Sequence, residues 1–256
     1  MLLSDLKSVS RKSPLALAPI AGTVQFREKL DAARELIQRW LVSCSRPYIS
    51  CGGGKDSTAT ALLVRTEDDR VPIVCAHPPN PLPGRDKHVS AVRKYFGEPW
   101  IDMPYPWNVD AVLEGADTYP DLLKVKMLNN LSVGYGFDGL AMGLRSRESN
   151  GRRILAAVRG DMYDKKDGMK ICLPVLRWTA DEVLALAASI GAPINPIYSN
   201  THLMPSYEVI RDGTWWPHLY GTPSELAYRV WLSWYYPELT EKYDLAVRLL
   251  HGQSLR

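Results

Sequence analysis

The stretch Ile49-Ser-Cys-Gly-Gly-Gly-Lys-Asp-Ser-Thr-Ala-Thr-Ala-Leu-Leu63 runs from an apolar segment, through three consecutive glycines, into a helical pattern. Tyr48 to Cys51 reads as a strand, and Asp56 to Arg65 as a helix with Ala59, Leu62 and Leu63 facing inward. The same alternation recurs downstream. Val71 to Ala76, Trp100 to Met103, Asp138 to Met142 and Ile171 to Pro174 read as strands. Arg85 to Phe96, Asp121 to Val133 and Thr179 to Ile190 read as helices, the last opened by a Thr179–Glu182 capping box. An amphipathic helix precedes the first strand, from Val24 to Cys44, with Phe26, Leu30, Ala33, Ile37, Trp40 and Leu41 on one face. Strands alternating with helices imply a parallel sheet covered on both faces. The expected fold is therefore a three-layer α/β sandwich on a five-stranded, mostly parallel sheet. His77 to Gly84, with four prolines, is expected to be irregular.

In such sheets ligands gather at the C-terminal ends of the strands, where the glycine turn lies. A turn of this kind exposes N–H groups at a helix N-terminus, where the dipole favours an anion. Glycine permits close approach and positive φ, and Lys55 adds a full charge. Phosphate is the natural guest. Two common phosphate loops fail on spacing: G-x-x-x-x-G-K-[S/T] would need Gly at Ile49, and G-x-G-x-x-G would need its third Gly at Asp56 or Ser57.

The segment Gly52-Gly-Gly-Lys-Asp-Ser57 instead resembles the S-G-G-x-D-S pyrophosphate loop of the adenine nucleotide α-hydrolase-like, or PP-loop ATP pyrophosphatase, superfamily. Gly replaces the first Ser, and Ser50 stands two residues earlier. Two further segments narrow the resemblance to the phosphoadenylyl-sulfate (PAPS) reductase-like branch. Gly143-Leu-Arg-Ser-Arg-Glu-Ser-Asn-Gly-Arg152 is similar to its G-x-R-x-x-E-S-x-x-R. Pro174 to Val183, followed by Ile194-Asn-Pro-Ile-Tyr198, is similar to its P-L-x-x-W-T-x-x-D-V … N-P-L-Y. The resemblance spans roughly residues 45–200. It implies a nucleotide site of Ser50, Gly52, Gly53, Gly54, Lys55, Asp56, Ser57, His77, Gly143, Arg145, Glu148 and Ser149. Lys55, Asp56, Arg145 and Arg152 are its catalytic candidates, Asp56 also as a ligand of the Mg²⁺ that accompanies ATP. Guanidinium forks suit phosphate or sulfate oxygens, and Glu148 can hold one arginine or bind a ribose hydroxyl. Trp178 and Thr179 read as architectural.

The departures matter as much. The reductases attack their sulfonucleotide with a cysteine in an E-C-G-x-H context; the last cysteine here is Cys172. The second strand of the branch ends D-T-G-x-x-x-P-E-T, whereas alignment on Pro83 puts His77 at the carboxylate position. His77 reads either as a loop histidine or as a base or ligand contact. The spacing of Cys44, Cys51, Cys75 and Cys172 matches no zinc or iron–sulfur pattern, and neither is expected. The activity expected is cleavage of ATP between α and β phosphates, adenylating an acceptor that the sequence does not identify. The readings kept open beside it are an ATP-activating component of sulfur handling or nucleic-acid sulfur modification, a non-catalytic nucleotide-binding module and, least favoured, a sulfonucleotide reductase.

The rest of the chain divides into a loose N-terminal arm, 1–22, an α/β domain, 23–200, and an aromatic-rich helical lobe, 201–256. The lobe carries Trp215, Trp216, Tyr220, Tyr228, Trp231, Trp234, Tyr235 and Tyr236, with Leu226, Val230, Trp231 and Trp234 on the expected core face. It is a candidate homodimer or partner-protein surface, and its arginines make a weaker case for nucleic acid. A net charge of +3 suits an anionic small ligand and is too small to argue for nucleic acid by itself. The N-terminal apolar run is short and bounded by Pro14 and Pro19, unlike a signal peptide, and no stretch reaches the roughly 18 apolar residues of a membrane span. A soluble cytoplasmic protein with no membrane partner is expected.

Overall fold

A computed structural model describes residues 13–77, 80–103, 110, 113, 114, 130, 131, 133–199, 207, 208, 210, 213, 214 and 223–250. The first long helix, α1 (Val24–Ser43), opens where the Thr23 hydroxyl accepts the Phe26 N–H. It buries Phe26, Ala33, Leu36, Ile37 and Trp40, and the indole of Trp40 donates to the Lys170 carbonyl at 3.1 Å. Strand β1 (Pro47–Ser50) follows, then the glycine turn and α2 (Lys55–Glu67). Strand β2 (Ile73–Ala76), the short β3 (Asn80–Pro81), α3 (Arg85–Phe96) and β4 (Trp100–Met103) complete the first half. The second half holds β5 (Gly139–Met142), α4 (Asn150–Arg159), the hairpin β6 (Met162–Asp164) and β7 (Lys170–Cys172), and α5 (Ala180–Ser189). Beyond it lie β8 (Gly213–Thr214), α6 (Pro223–Tyr235) and α7 (Pro237–Leu250).

The main sheet has six strands in the order β4-β2-β1-β5-β7-β6. Five are parallel, and β6 joins β7 antiparallel at the edge. The sequence reading gave five strands; β6 escaped it because a three-residue edge strand carries too little apolar pattern to register. Pro81 also sits in regular structure, where irregular chain was expected. It pairs with Gly213 in a two-residue ribbon, a place where a missing N–H is tolerated. The helix expected at Asp121 to Val133 lies largely outside the described residues, as do Pro78, Pro79, Trp215, Trp216 and Tyr220.

The 1–22 arm is not loose from Pro14 onward. Ser13 caps a 3₁₀ helix over Pro14–Gly22 whose Leu17, Ile20 and Ala21 pack on the cores on either side of α5. Its apolar side chains gain more by burial than an exposed arm would. The C-terminal lobe shares one core cluster with α5: Trp231, Leu232, Tyr243 and Ala246 pack with Ala180, Leu184 and Tyr198. The expected apolar face was drawn one residue off. Trp231 is buried with Leu232, while Val230 and Trp234 are exposed, because Trp231 packs on Tyr235 and Tyr236 and Arg229 turns to Asp244 on α7. None of the described helices is long and apolar enough to cross a membrane.

Strand β1 leads to β2 on one side of the sheet and neighbours β5 on the other, with Ser50 opposite Met142. This is the switch point of the sheet, where a crevice opens at the strand ends. Gly143, the first residue after β5, meets the start of α2 so closely that a Cβ there would fall under 3.0 Å from the backbone of Asp56 and Ser57. Backbone cannot give way as a side-chain tip can. Gly143→Ala should therefore cost about 1–3 kcal/mol or more, the range for overpacking. Gly151→Ala, which meets nothing nearer than 4.0 Å, should be near neutral. Urea denaturation of both variants makes the comparison.

Candidate anion-binding site at the glycine turn

The turn from β1 into α2 depends on Gly53, whose φ of 86° is costly for any residue with a Cβ. Gly54 is the N-cap of α2, so Lys55, Asp56 and Ser57 form the first helical turn. The Ser57 hydroxyl returns to the Gly54 carbonyl at 3.0 Å. Lys55 is thus helical and only 6% exposed, rather than displayed on a loop. Its N–H meets the Tyr198 hydroxyl at 3.0 Å, and its ammonium lies 3.2 Å from the Ile210 carbonyl and 3.2 Å from Asp56 Oδ2.

Arg145 lies on the same carboxylate. Its Nε donates to Asp56 Oδ1 and its Nη1 to Glu208 Oε2, and its side chain is 0% exposed. The parallel pairing of β1 with β5 accounts for this: it sets the two strand-end loops side by side. Arg145 therefore does not face the glycine turn from across a cleft but packs against the first turn of α2. Its Nη2 is buried and has no hydrogen-bond partner among the described residues. Glu208 also accepts the Ala180 N–H at the start of α5, 2.9 Å away. Burial alone would push the Asp56 carboxyl up; Lys55 and Arg145 outweigh it and hold the group below the usual carboxylate range. Burial pushes the Lys55 ammonium down against the pull of Asp56. Both Asp56 oxygens are thus engaged by cations, so Asp56 does not fit the role of metal ligand expected of it.

Glu148 receives the Arg145 N–H at 3.1 Å and pairs with Arg152, and the Ser149 hydroxyl caps α4 at Arg152 N, 3.2 Å away. The G-x-R-x-x-E-S-x-x-R segment is one local unit: Gly143 makes the close approach, Arg145 points inward and Glu148 holds Arg152. Ser50 ends β1 beside β2 and β5.

His77 joins the turn indirectly. Arg85, 2% exposed, donates through Nη2 to the Gly52 carbonyl at 2.7 Å and through Nη1 to His77 Nδ1 at 3.2 Å. A guanidinium only donates, so Nδ1 accepts and the ring proton sits on Nε2, which donates to Asp102 at 3.0 Å. Both ring nitrogens are occupied, and a general-base role for His77 does not fit. Cys75, His77 and Asp102 bring their donor atoms within 4.8 Å of one another, a spacing a metal ion could bridge. The Nε2 proton bound for Asp102 opposes ligation there. His88, from α3, donates to the Gly53 carbonyl at 2.8 Å. Arg85, His88, Tyr198 and Glu208 were not picked out from the sequence. Tyr198 stood within a quoted motif; the others fall outside the quoted motifs, and spacing offers no signal for them.

These features define a nucleotide-type α/β fold with a glycine turn at its switch point. The chain belongs to the phosphoadenosine phosphosulfate reductase domain family, whose profile matches residues 46–210. Its fold is similar to that of a crystallised PAPS reductase from Candida auris in a phosphate complex. The TM-score is 0.53 at 14% identity over 65% of this chain and 83% of that one. No curated protein sequence matches the chain.

Burial pushes the His88 imidazolium below the ordinary value of 6.5, so the unfolded chain takes up that proton first as pH falls. Below about pH 6.5 the unfolded state then binds more protons, and stability declines with falling pH. The loss between about pH 7 and about pH 5 should be smaller in His88→Gln than in wild type, read as urea midpoints across that range.

Proposed function

We propose that the protein binds an adenine nucleotide with its phosphates on Gly52 to Ser57. It then cleaves ATP between the α and β phosphates, passing AMP to an acceptor and releasing pyrophosphate. The observation that carries this reading is Arg145: a buried guanidinium whose Nη2 is unused among the described residues, packed on the first turn of a helix that opens from a glycine turn. A buried donor without a partner costs about 1–3 kcal/mol, which an anionic oxygen would relieve. The structurally similar Candida auris PAPS reductase was crystallised as a phosphate complex.

In this reading negative charge grows on the departing pyrophosphate. Loop N–H groups, the Lys55 ammonium and Arg145 oppose it from fixed positions, so little reorganisation is needed as the bond breaks. Lys55 would exchange the Ile210 carbonyl for a phosphate oxygen, and Asp56 would keep both cations in place. Mg²⁺ would enter with the ATP phosphates as part of the substrate.

Thiol attack on a sulfonucleotide is less well supported. Burial pushes Cys75 up to about 12 and also raises Cys172 and Cys44, while Cys51 is fully buried. A nucleophilic cysteine needs the opposite surroundings.

Lys55→Met, which keeps the buried stem and removes the charge, should weaken pyrophosphate binding by about 1–3 kcal/mol and abolish pyrophosphate release from MgATP. Calorimetry and a coupled pyrophosphate assay read the two. Equal pyrophosphate affinity in variant and wild type would remove the loop from the reading.

A further inference from the structure

Two consecutive carbonyls of the glycine turn are held from the same helix. Gly52 O takes Arg85 Nη2 at 2.7 Å, and Gly53 O takes His88 Nε2 at 2.8 Å. Both donors are nearly buried, at 2% and 6% exposure, and both belong to α3. Behind Arg85 the chain of contacts continues through His77 to Asp102, which is fixed in turn by the Trp100 indole at 3.0 Å and by Arg93 at 2.9 Å. The His77 side chain, placed where the family carries a carboxylate, is thus spent on the back of the turn.

In a planar trans peptide the C=O and the following N–H point in opposite directions. Drawing the Gly52 carbonyl toward Arg85 therefore turns the Gly53 N–H the other way. Drawing the Gly53 carbonyl toward His88 does the same for the Gly54 N–H. Two successive N–H groups on one side make a concave anion cradle, and glycines left to themselves would not hold it. The next N–H, that of Lys55, is already committed to Tyr198.

We infer that Arg85 and His88 are positioning residues that clamp the Gly52 and Gly53 carbonyls, so that the Gly53 and Gly54 N–H groups form the phosphate cradle. The Asp102–His77 pair steadies the Arg85 arm. The inference rests on the reading of the turn as an anion site. It assigns the departure at His77 to loop geometry and not to contact with the nucleotide.

The test uses the full chain with pyrophosphate as probe. His88→Leu keeps the bulk and removes the donor; His88→Gln restores a terminal N–H at similar reach. Arg85→Met does for Gly52 what His88→Leu does for Gly53, and serves if the leucine variant does not fold. The clamp predicts a loss of affinity of about tenfold in the Leu or Met variant, the order of one hydrogen bond, with the melting temperature little changed and most of the affinity recovered in His88→Gln. Wild-type affinity in folded Leu and Met variants overturns it. So does a Gln variant no better than Leu, since packing and not the hydrogen bond would then matter. A wild-type protein that ignores pyrophosphate sinks the proposed function alone. The clamp is then judged without ligand, by ¹⁵N backbone order parameters at Gly53 and Gly54 in labelled protein: lower values in His88→Leu uphold it, and unchanged values refute it.

Discussion

The Asp56 carboxylate is where this structure is tied together. It sits in the first turn of α2 with Lys55 on one oxygen and Arg145 on the other. Through Arg145 it holds the loop after β5. Through Glu208, the second partner of Arg145, it reaches the N-terminus of α5. Drawing four charged groups together, two of them buried, is costly, and such a cluster persists only where geometry and hydrogen bonds offset desolvation. Removing any one member leaves the others uncompensated. The cluster therefore ties three separate segments together.

The sheet order sets up that cluster. β1 and β5 are distant in sequence and adjacent in space, paired from Pro47 opposite Gly139 to Ser50 opposite Met142. Their C-terminal loops meet because parallel strands end on the same edge. Gly143 lets the two loops approach until backbone touches backbone. On the other side of β1, strand β2 and helix α3 bring Arg85 and His88 behind the glycine turn. The start of α2 is thus held by Arg145 from the loop after β5, and the turn before it by hydrogen-bond donors from α3.

Much of this was legible in the chain. The boundaries of α3 and β4 follow from period and propensity, and those of α1, α2, β1 and β5 fall within a residue or two of the reading. The Thr179–Glu182 capping box forms as its spacing implied, with Thr179 N donating to Glu182 at 2.7 Å. Local rules govern these features, so a local reading finds them. It missed β6 and the β3–β8 ribbon, whose two or three residues carry no usable pattern. It misplaced the exposed face of α6, because only the partner helix decides which of Val230, Trp231 and Leu232 turns inward.

For the site, the residue types were determined by the sequence and their duties by the tertiary structure. The glycines, Lys55 and Arg145 point to a candidate anion site because each is chemically suited to one and because they stand at strand ends; Asp56 is the carboxylate that pairs both cations. Nothing in their spacing says that Arg145 is buried on Asp56 rather than facing a cleft, that Glu208 is its second partner, or that His77 is joined to Gly52 through Arg85. Those facts depend on segments up to 89 residues apart coming within hydrogen-bond reach. Only the assembled sheet and the helices packed on it bring them together.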